Sequence, residues 1–327
     1  PAEGEAGGEG LTGLDDAAVA RLRDAVRRPD LSGTRYRLGE ELGRGGMGSV
    51  WEAEDGALGR KVALKVLDLP DEGGGLAERL RREARVLALL EHPGIVPVHD
   101  AGTLGDGRPY YAMKLVRGER LDEAAARMPL AERLRAFLRV CEAVAFAHAA
   151  GVLHRDLTPG NVMVGPFGEV LVMDWGLAKV LGEADPSRRE GTEPPRGPGG
   201  GTEAGSVLGT PGFMAPEQER GEAGAVSERT DVFGLGALLS TLLGTSPPRQ
   251  LAAVVARATD PDPARRYDGA RALSEEVRRY LDGERVLSYR ERPHERLGRF
   301  LSRHRVAVIL VLAYLAARAA ILVFLGR

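Results

Sequence analysis

Five side chains have the chemistry to hold and move a phosphate: Lys65, Glu83, Asp156, Asn161 and Asp174. Lys65 stands inside the apolar run Lys61-Val62-Ala63-Leu64-Lys65-Val66-Leu67, where an ammonium can neutralise phosphate oxygens if a partner positions it. Glu83, in Arg81-Arg82-Glu83-Ala84-Arg85, is a candidate for that partner. Asp156 and Asn161 share the run His154-Arg155-Asp156-Leu157-Thr158-Pro159-Gly160-Asn161, and Asp174 opens Asp174-Trp175-Gly176. Carboxylate and amide oxygens suit a hard cation such as Mg²⁺, which is usually shared with phosphates. Ahead of all these, Leu42-Gly43-Arg44-Gly45-Gly46-Met47-Gly48-Ser49-Val50 sets glycines at a tip where backbone N–H groups can approach phosphate oxygens closely. Each piece alone has a plainer reading: a flexible hairpin, a solubilising strand Lys, a solvated helix Glu. The order of the pieces is what carries the phosphate reading.

The flanking patterns say which elements must position them. Apolar residues alternate on both sides of the glycines, which predicts a hairpin, and Lys65 shares a strand face with Ala63 rather than with Val62 and Leu64. Helical spacing of Leu80, Leu87 and Leu90 predicts a helix from Leu76 to Leu90 with Glu83 on it. Two short apolar strands, Val162-Met163-Val164 and Val170-Leu171-Val172-Met173, project Asp156, Asn161 and Asp174 toward one place.

With these motifs in this order, from about Tyr36 to Leu281, the chain resembles the protein kinase family, specifically the bacterial Ser/Thr kinases related to eukaryotic ones. The resemblance implies an α+β, two-lobed protein kinase fold over 35–281, with a β-rich N-lobe at 35–116 and a helical, shortened C-lobe at 117–281. It implies ATP and Mg²⁺ as cofactors. Gly43, Gly45 and Gly48 would cover the phosphates and Val50 the adenine, with Leu42 and Gly46 among the cofactor-binding residues. Lys65 would bind the α- and β-phosphates and pair with Glu83. In Tyr110-Tyr111-Ala112-Met113-Lys114-Leu115-Val116, Met113 matches the gatekeeper, and Lys114 and Val116 the hinge beside adenine; Ala63 and Met163 match the pocket's ceiling and floor. Asp156 would accept the proton of the substrate hydroxyl, with Asn161 and Asp174 as Mg²⁺ ligands. Thr210 is expected to bond Asp156, Asp231 to support the catalytic loop, and Glu217 to pair with Arg266.

The pattern departs from the family in three ways. Thr158 stands where these kinases usually carry a Lys; it offers a hydrogen bond without charge, and losing one electrostatic donor costs roughly 2.7–4 kcal/mol of transition-state stabilisation. Trp175 replaces the usual Phe and is expected to pack beneath the helix of Glu83 with Leu87, Val98 and His154. After Pro248 the chain passes directly to Arg249, skipping a loop and helix, so apolar surface near Leu242 and Leu251 is expected to be uncovered. Before Gly209 the run Pro194-Pro195-Arg196-Gly197-Pro198-Gly199-Gly200-Gly201 is of low complexity, and Thr202 and Ser206 are the candidates for regulatory phosphorylation, with Arg155 as the partner of the phosphate.

The net charge of −2 over 327 residues gives no sign of nucleic-acid binding. The single cysteine, Cys141, lies in the apolar stretch Phe137 to Ala149 and reads as a small core residue. Residues 1–34 read as a disordered extension with a short helix over Leu14 to Arg28. The acidic start, without an apolar core, gives no signal-peptide pattern. Residues 282–305 read as a basic juxtamembrane segment, and the apolar run Val306 to Leu325 as a transmembrane helix, interrupted by Arg318 at ~2.5–3.5 kcal/mol on insertion scales. Arg296, Arg299, Arg303 and Arg305 ahead of it predict a single-pass cell-membrane protein with a cytoplasmic kinase domain. The plainer readings of that run are a buried core helix or one lying in the membrane plane. The function expected is transfer of the ATP γ-phosphate to protein Ser/Thr hydroxyls, including its own, with a homodimer left open. The competing readings are a nucleotide-binding pseudokinase that acts as a membrane scaffold, and ATP hydrolysis without transfer.

Overall fold

The computed structural model describes residues 27–45, 48–68, 75–181, 210–222, 224–293 and 305–325. Gly46, Thr202, Ser206, the low-complexity run and most of the helix expected over 14–28 lie outside the described residues. The chain divides into two compact units, one ending at Arg117 and one beginning at Gly118.

The first unit is built on β1 (Tyr36–Gly45), β2 (Gly48–Asp55), β3 (Arg60–Val66), α1 (Gly75–Leu89), β4 (Val98–Thr103) and β5 (Pro109–Lys114). The strands form one antiparallel sheet in the order β1-β2-β3-β5-β4. The period of two in β3 sends Val62, Leu64 and Val66 into a core with Leu31, Tyr36, Ala53, Leu104, Tyr110 and Ala112. Ala63 and Lys65 therefore face the other way. At the hairpin tip, Gly48 has φ 149°, and a Cβ there would lie 2.1 Å from the Val66 carbonyl oxygen. Glycine is needed at this position by the backbone packing itself, apart from any phosphate. A buried arginine that the sequence patterns did not flag, Arg108, ties the entering chain down. Its Nη1 donates to the carbonyls of Arg27 (2.8 Å), Asp68 (3.1 Å) and Leu67 (3.3 Å), and its Nη2 to that of Arg28 (3.3 Å).

The second unit begins with β6 (Glu119–Arg120), α2 (Leu121–Ala125), α3 (Leu130–Ala149) and β7 (Val152–Leu153). A 3₁₀ turn (Pro159–Asn161) leads into β8 (Val162–Val164) and β9 (Val170–Val172), followed by β10 (Lys179–Val180). Then come α4 (Pro216–Glu219), α5 (Glu228–Leu243), α6 (Arg249–Ala258) and α7 (Ala270–Leu281). The short strands pair as β6-β8-β9 and β10-β7. Phe137, Val140, Cys141 and Val144 of α3, Leu235 and Leu239 of α5, Val254 of α6 and Leu273 and Val277 of α7 are buried. Cys141 is a core residue as expected, and burial pushes its thiol well above the usual value.

One expectation is corrected here. Leu242 and Leu251 are 1% and 0% exposed rather than uncovered. The short link from Leu243 to Arg249 lets α6 lie against α5, where Gly236 admits the Ala258 methyl, 2.7 Å from where a Cβ would stand. The stretch after Leu281 also folds onto the unit: Glu276 accepts from Ser288 N (2.8 Å), Ser288 Oγ (2.6 Å) and Leu287 N (3.2 Å), and Val286 is buried.

The last described helix, α8 (Arg305–Leu325), holds the terminal apolar run. The expected bilayer crossing is not found, because among the described residues no helix is long and apolar enough to cross a membrane. Val306, Ile309, Leu310, Val311, Leu312, Tyr314 and Leu315 on α8 are all more than half exposed.

Candidate active site

In the first unit, strand register brings together the residues expected at the phosphates. Gly43 pairs with Val50, Val50 with Lys65, and Lys65 with Tyr111, so these four form one cross-strand row. Ala63 pairs with Met113 two residues away, on the same face. Nothing lies within 4 Å of where a Cβ would stand on Gly43 or Gly45. The row thus has open space over its glycine end. Helix α1 brings Glu83 to the row. Lys65 Nζ donates to both carboxylate oxygens, at 2.7 and 2.9 Å, and the Tyr111 hydroxyl donates to Oε1 at 2.9 Å. The Lys65 side chain is 13% exposed and that of Glu83 1%. A strand ammonium is thereby fixed on a buried helix carboxylate, the geometry that holds a cation ready for phosphate. Tyr111 was not singled out by the sequence patterns; its place opposite Lys65 is visible only once β3 and β5 pair. Leu42 and Lys114 are exposed and Val116 half-buried at the margins of this row.

In the second unit, Asp156 is oriented through both carboxylate oxygens. Oδ1 accepts from the Thr210 amide and hydroxyl, each at 3.1 Å, and Oδ2 from Asn161 Nδ2 at 3.0 Å. Asn161 Nδ2 also donates to the Asp156 carbonyl at 2.8 Å, which leaves the amide oxygen of Asn161 for a cation. Asp174 reaches the same end of the β8–β9 hairpin. Met173 N donates to Asn161 O at 2.8 Å, beyond the paired Val162 and Val172, so Asn161 and Asp174 leave neighbouring strands side by side. Among the described residues no group of three or more His, Cys, Asp or Glu forms a metal cage. The donors present, one amide oxygen and one carboxylate, fit Mg²⁺, which takes one or two protein oxygens and fills its shell with water and phosphate.

The loop holding Asp156 is strained and braced. Arg155 (φ 72°) and Asp174 (φ 57°) are the non-glycine residues at positive φ among those described. Such conformations cost on the order of 1–3 kcal/mol each and persist only when their surroundings fix them. Asp231, from the first turn of α5, is the brace. Its Oδ1 accepts from Arg155 N, and its Oδ2 from His154 N and His148 Nε2, each at 2.8 Å. Burial alone would raise the Asp231 carboxyl, but the His148 hydrogen bond and the Arg155 amide outweigh it and hold the group below the ordinary value. His154 accepts from Asp156 N at Nδ1 (3.3 Å), so its proton sits on Nε2, donated to Met173 O at 3.1 Å. Trp175 is buried, its ring centroid 4.6 Å from that of His154. Gln218, which the sequence patterns also missed, donates to Arg155 O at 2.9 Å. Beneath, Arg266 grips Glu217 through two bonds of 2.7 and 2.9 Å, both side chains 0% exposed. Met163 is half-buried on β8, opposite Arg120.

A strand lysine clamped by a helix glutamate in a five-stranded sheet, and an aspartate poised on a braced loop in a helical unit, are the build of a protein kinase. The chain belongs to the protein kinase domain family, which matches residues 36–276, on the side of the bacterial serine/threonine-protein kinases. It is 42% identical over 214 residues to the serine/threonine-protein kinase PknA of Mycobacterium tuberculosis (strain ATCC 25618 / H37Rv), covering 63% of this chain and 46% of that protein. It is 34% identical over 298 residues to a probable serine/threonine-protein kinase of Streptomyces coelicolor, covering 80% of this chain and 42% of that protein. To the DNA damage-responsive serine/threonine-protein kinase RqkA of Deinococcus radiodurans it is 40% identical over 221 residues, 65% of this chain and 30% of RqkA. The chain spans less than half the length of each of these curated relatives.

Proposed function

We propose that the chain transfers the γ-phosphate of ATP to Ser and Thr hydroxyls of proteins, its own included. The observation that carries this reading is the orientation of Asp156, whose two carboxylate oxygens are aimed by Thr210 and Asn161. The acceptor hydroxyl oxygen bonds to the γ-phosphorus as the bond from that phosphorus to the bridging oxygen breaks. The hydroxyl proton passes to Asp156, and ADP and a phosphoester result. Lys65, steadied by Glu83 and Tyr111, neutralises the α- and β-phosphates, and the open ground over Gly43 and Gly45 admits them. Mg²⁺, when bound, would neutralise phosphate charge, and Asn161 and Asp174 would hold it. Placement and charge neutralisation carry most of such catalysis, since phosphoryl transfer asks little covalent chemistry of the protein. All five functional side chains are present, so a pseudokinase that only binds nucleotide is not favoured.

Labelled ATP and Mg²⁺, incubated with the purified chain and followed by mass spectrometry, test this directly. Phosphate should appear on Ser or Thr, with Thr202 and Ser206 the expected positions, and disappear with Asp156→Asn. Nucleotide binding without any labelled product would instead establish the pseudokinase, and release of inorganic phosphate alone the hydrolase.

Membrane association through α8 is a second part of the proposal, supported by the seven apolar side chains it leaves more than half exposed. Removing residues 306–327 should shift the protein from the membrane fraction to the soluble one. An unchanged distribution overturns that part.

A further inference from the structure

The catalytic loop offers Thr158 as a neutral hydroxyl where charge develops on the transferring phosphate, and a cation stands next to it that no motif assigned. We propose that Arg120 supplies the positive charge at this point, acting together with Thr158 on the phosphoryl group as it passes Asp156. The inference rests on the kinase reading above and adds a residue to it.

Three observations support it. A Cβ on Gly160 would lie 3.7 Å from Thr158 Oγ1 and 3.9 Å from Arg120 Nη1, so hydroxyl and guanidinium flank the same point of the loop that runs from Asp156 to Asn161. Arg120 is placed there by the backbone: it pairs with Met163 on β8, immediately after the 3₁₀ turn that contains Gly160. Cross-strand partners stand about 4.5–5.5 Å apart at Cβ, so the long Arg side chain reaches the turn without strain. Finally, the Arg120 side chain is exposed and makes no hydrogen bond or ion pair among the described residues, while its neighbour Glu119 is taken by Arg127. An unneutralised guanidinium with a planar fork of donors matches phosphate oxygens, and the bare glycine beside it leaves the approach open.

The test compares wild-type full chain with Arg120→Gln, Arg120→Lys and Arg120→Gln/Thr158→Lys, using Mg·ATP and a mixture of Ser/Thr peptides, with thermal melting run on each. Arg120→Gln should lower kcat by about 10²-fold with the KM for ATP changed by less than about threefold, as for removal of one transition-state donor. Arg120→Lys should stay within about tenfold of wild type, and the added Lys of the double variant should regain at least about tenfold over Arg120→Gln. An unchanged kcat in Arg120→Gln, a loss confined to KM, or no recovery by either Lys overturns the role of Arg120 and leaves the kinase reading standing. Wild type that transfers no phosphate to itself or the peptides overturns both.

Discussion

Lys65→Met is expected to lower phosphoryl transfer by about 10²–10³-fold or more, the effect of removing a preorganised charge from a phosphate site. Methionine keeps the length and apolar stem of the side chain and deletes only the ammonium. The consequence for stability must be separated from that for chemistry. Glu83, 1% exposed, would lose its cation and keep the Tyr111 hydroxyl as a donor. Removing one partner of a buried pair costs up to about 3–5 kcal/mol, and the remaining hydroxyl reduces this. Lys65→Met/Glu83→Gln removes the uncompensated charge, so it should recover most of the melting temperature and none of the activity. Autophosphorylation near the wild-type rate in Lys65→Met would rule out the phosphate clamp.

The largest expected loss of stability is at Arg266. Arg266→Ala leaves the Glu217 carboxylate in the interior, where two bonds from the guanidinium and one from Thr230 at 3.0 Å now hold it. Burial alone would raise the Glu217 carboxyl, but Arg266 and the neighbouring donors hold it below the ordinary value, so the ionised form is the one the fold is built around. Arg266 also donates to the carbonyls of Asp260 (2.7 Å), Arg229 (3.0 Å) and Pro261 (3.3 Å), which lose their donor together. The cost is about 3–5 kcal/mol, or roughly 6–20 °C in melting temperature for a domain of this size. A melting temperature within about 2 °C of wild type would show that the pair does not hold the second unit.

Much of the site was legible because its residues sit at fixed offsets within short motifs. The alternation in β3 separated Lys65 from Val62 and Leu64, and helical spacing put Leu80 and Leu87 inward. Local spacing does not encode which distant segments of the chain meet, and the missed residues all depend on that. Tyr111 reaches Glu83 only because β5 lies beside β3, Arg120 reaches Gly160 only because β6 pairs with β8, and Gln218 meets Arg155 across 63 positions of chain. The error over Leu242 and Leu251 has the same source. A missing element in the sequence suggested bare surface, whereas α6 packs on α5 at the small Gly236 and both leucines are buried. At α8, apolar length suggested a crossing, and no helix of sufficient length and apolarity is found among the described residues.

Arg108 sets a practical limit on how this domain can be trimmed. The family match begins at residue 36, yet the guanidinium in the interior of the sheet unit is anchored to the carbonyls of Arg27 and Arg28. A shortened polypeptide starting at Tyr36 would keep an inward-facing cation stripped of two of its acceptors, and should express poorly or melt early. Recombinant versions that keep the chain from upstream of Arg27 retain this anchor, and they are the ones to carry into binding and activity work.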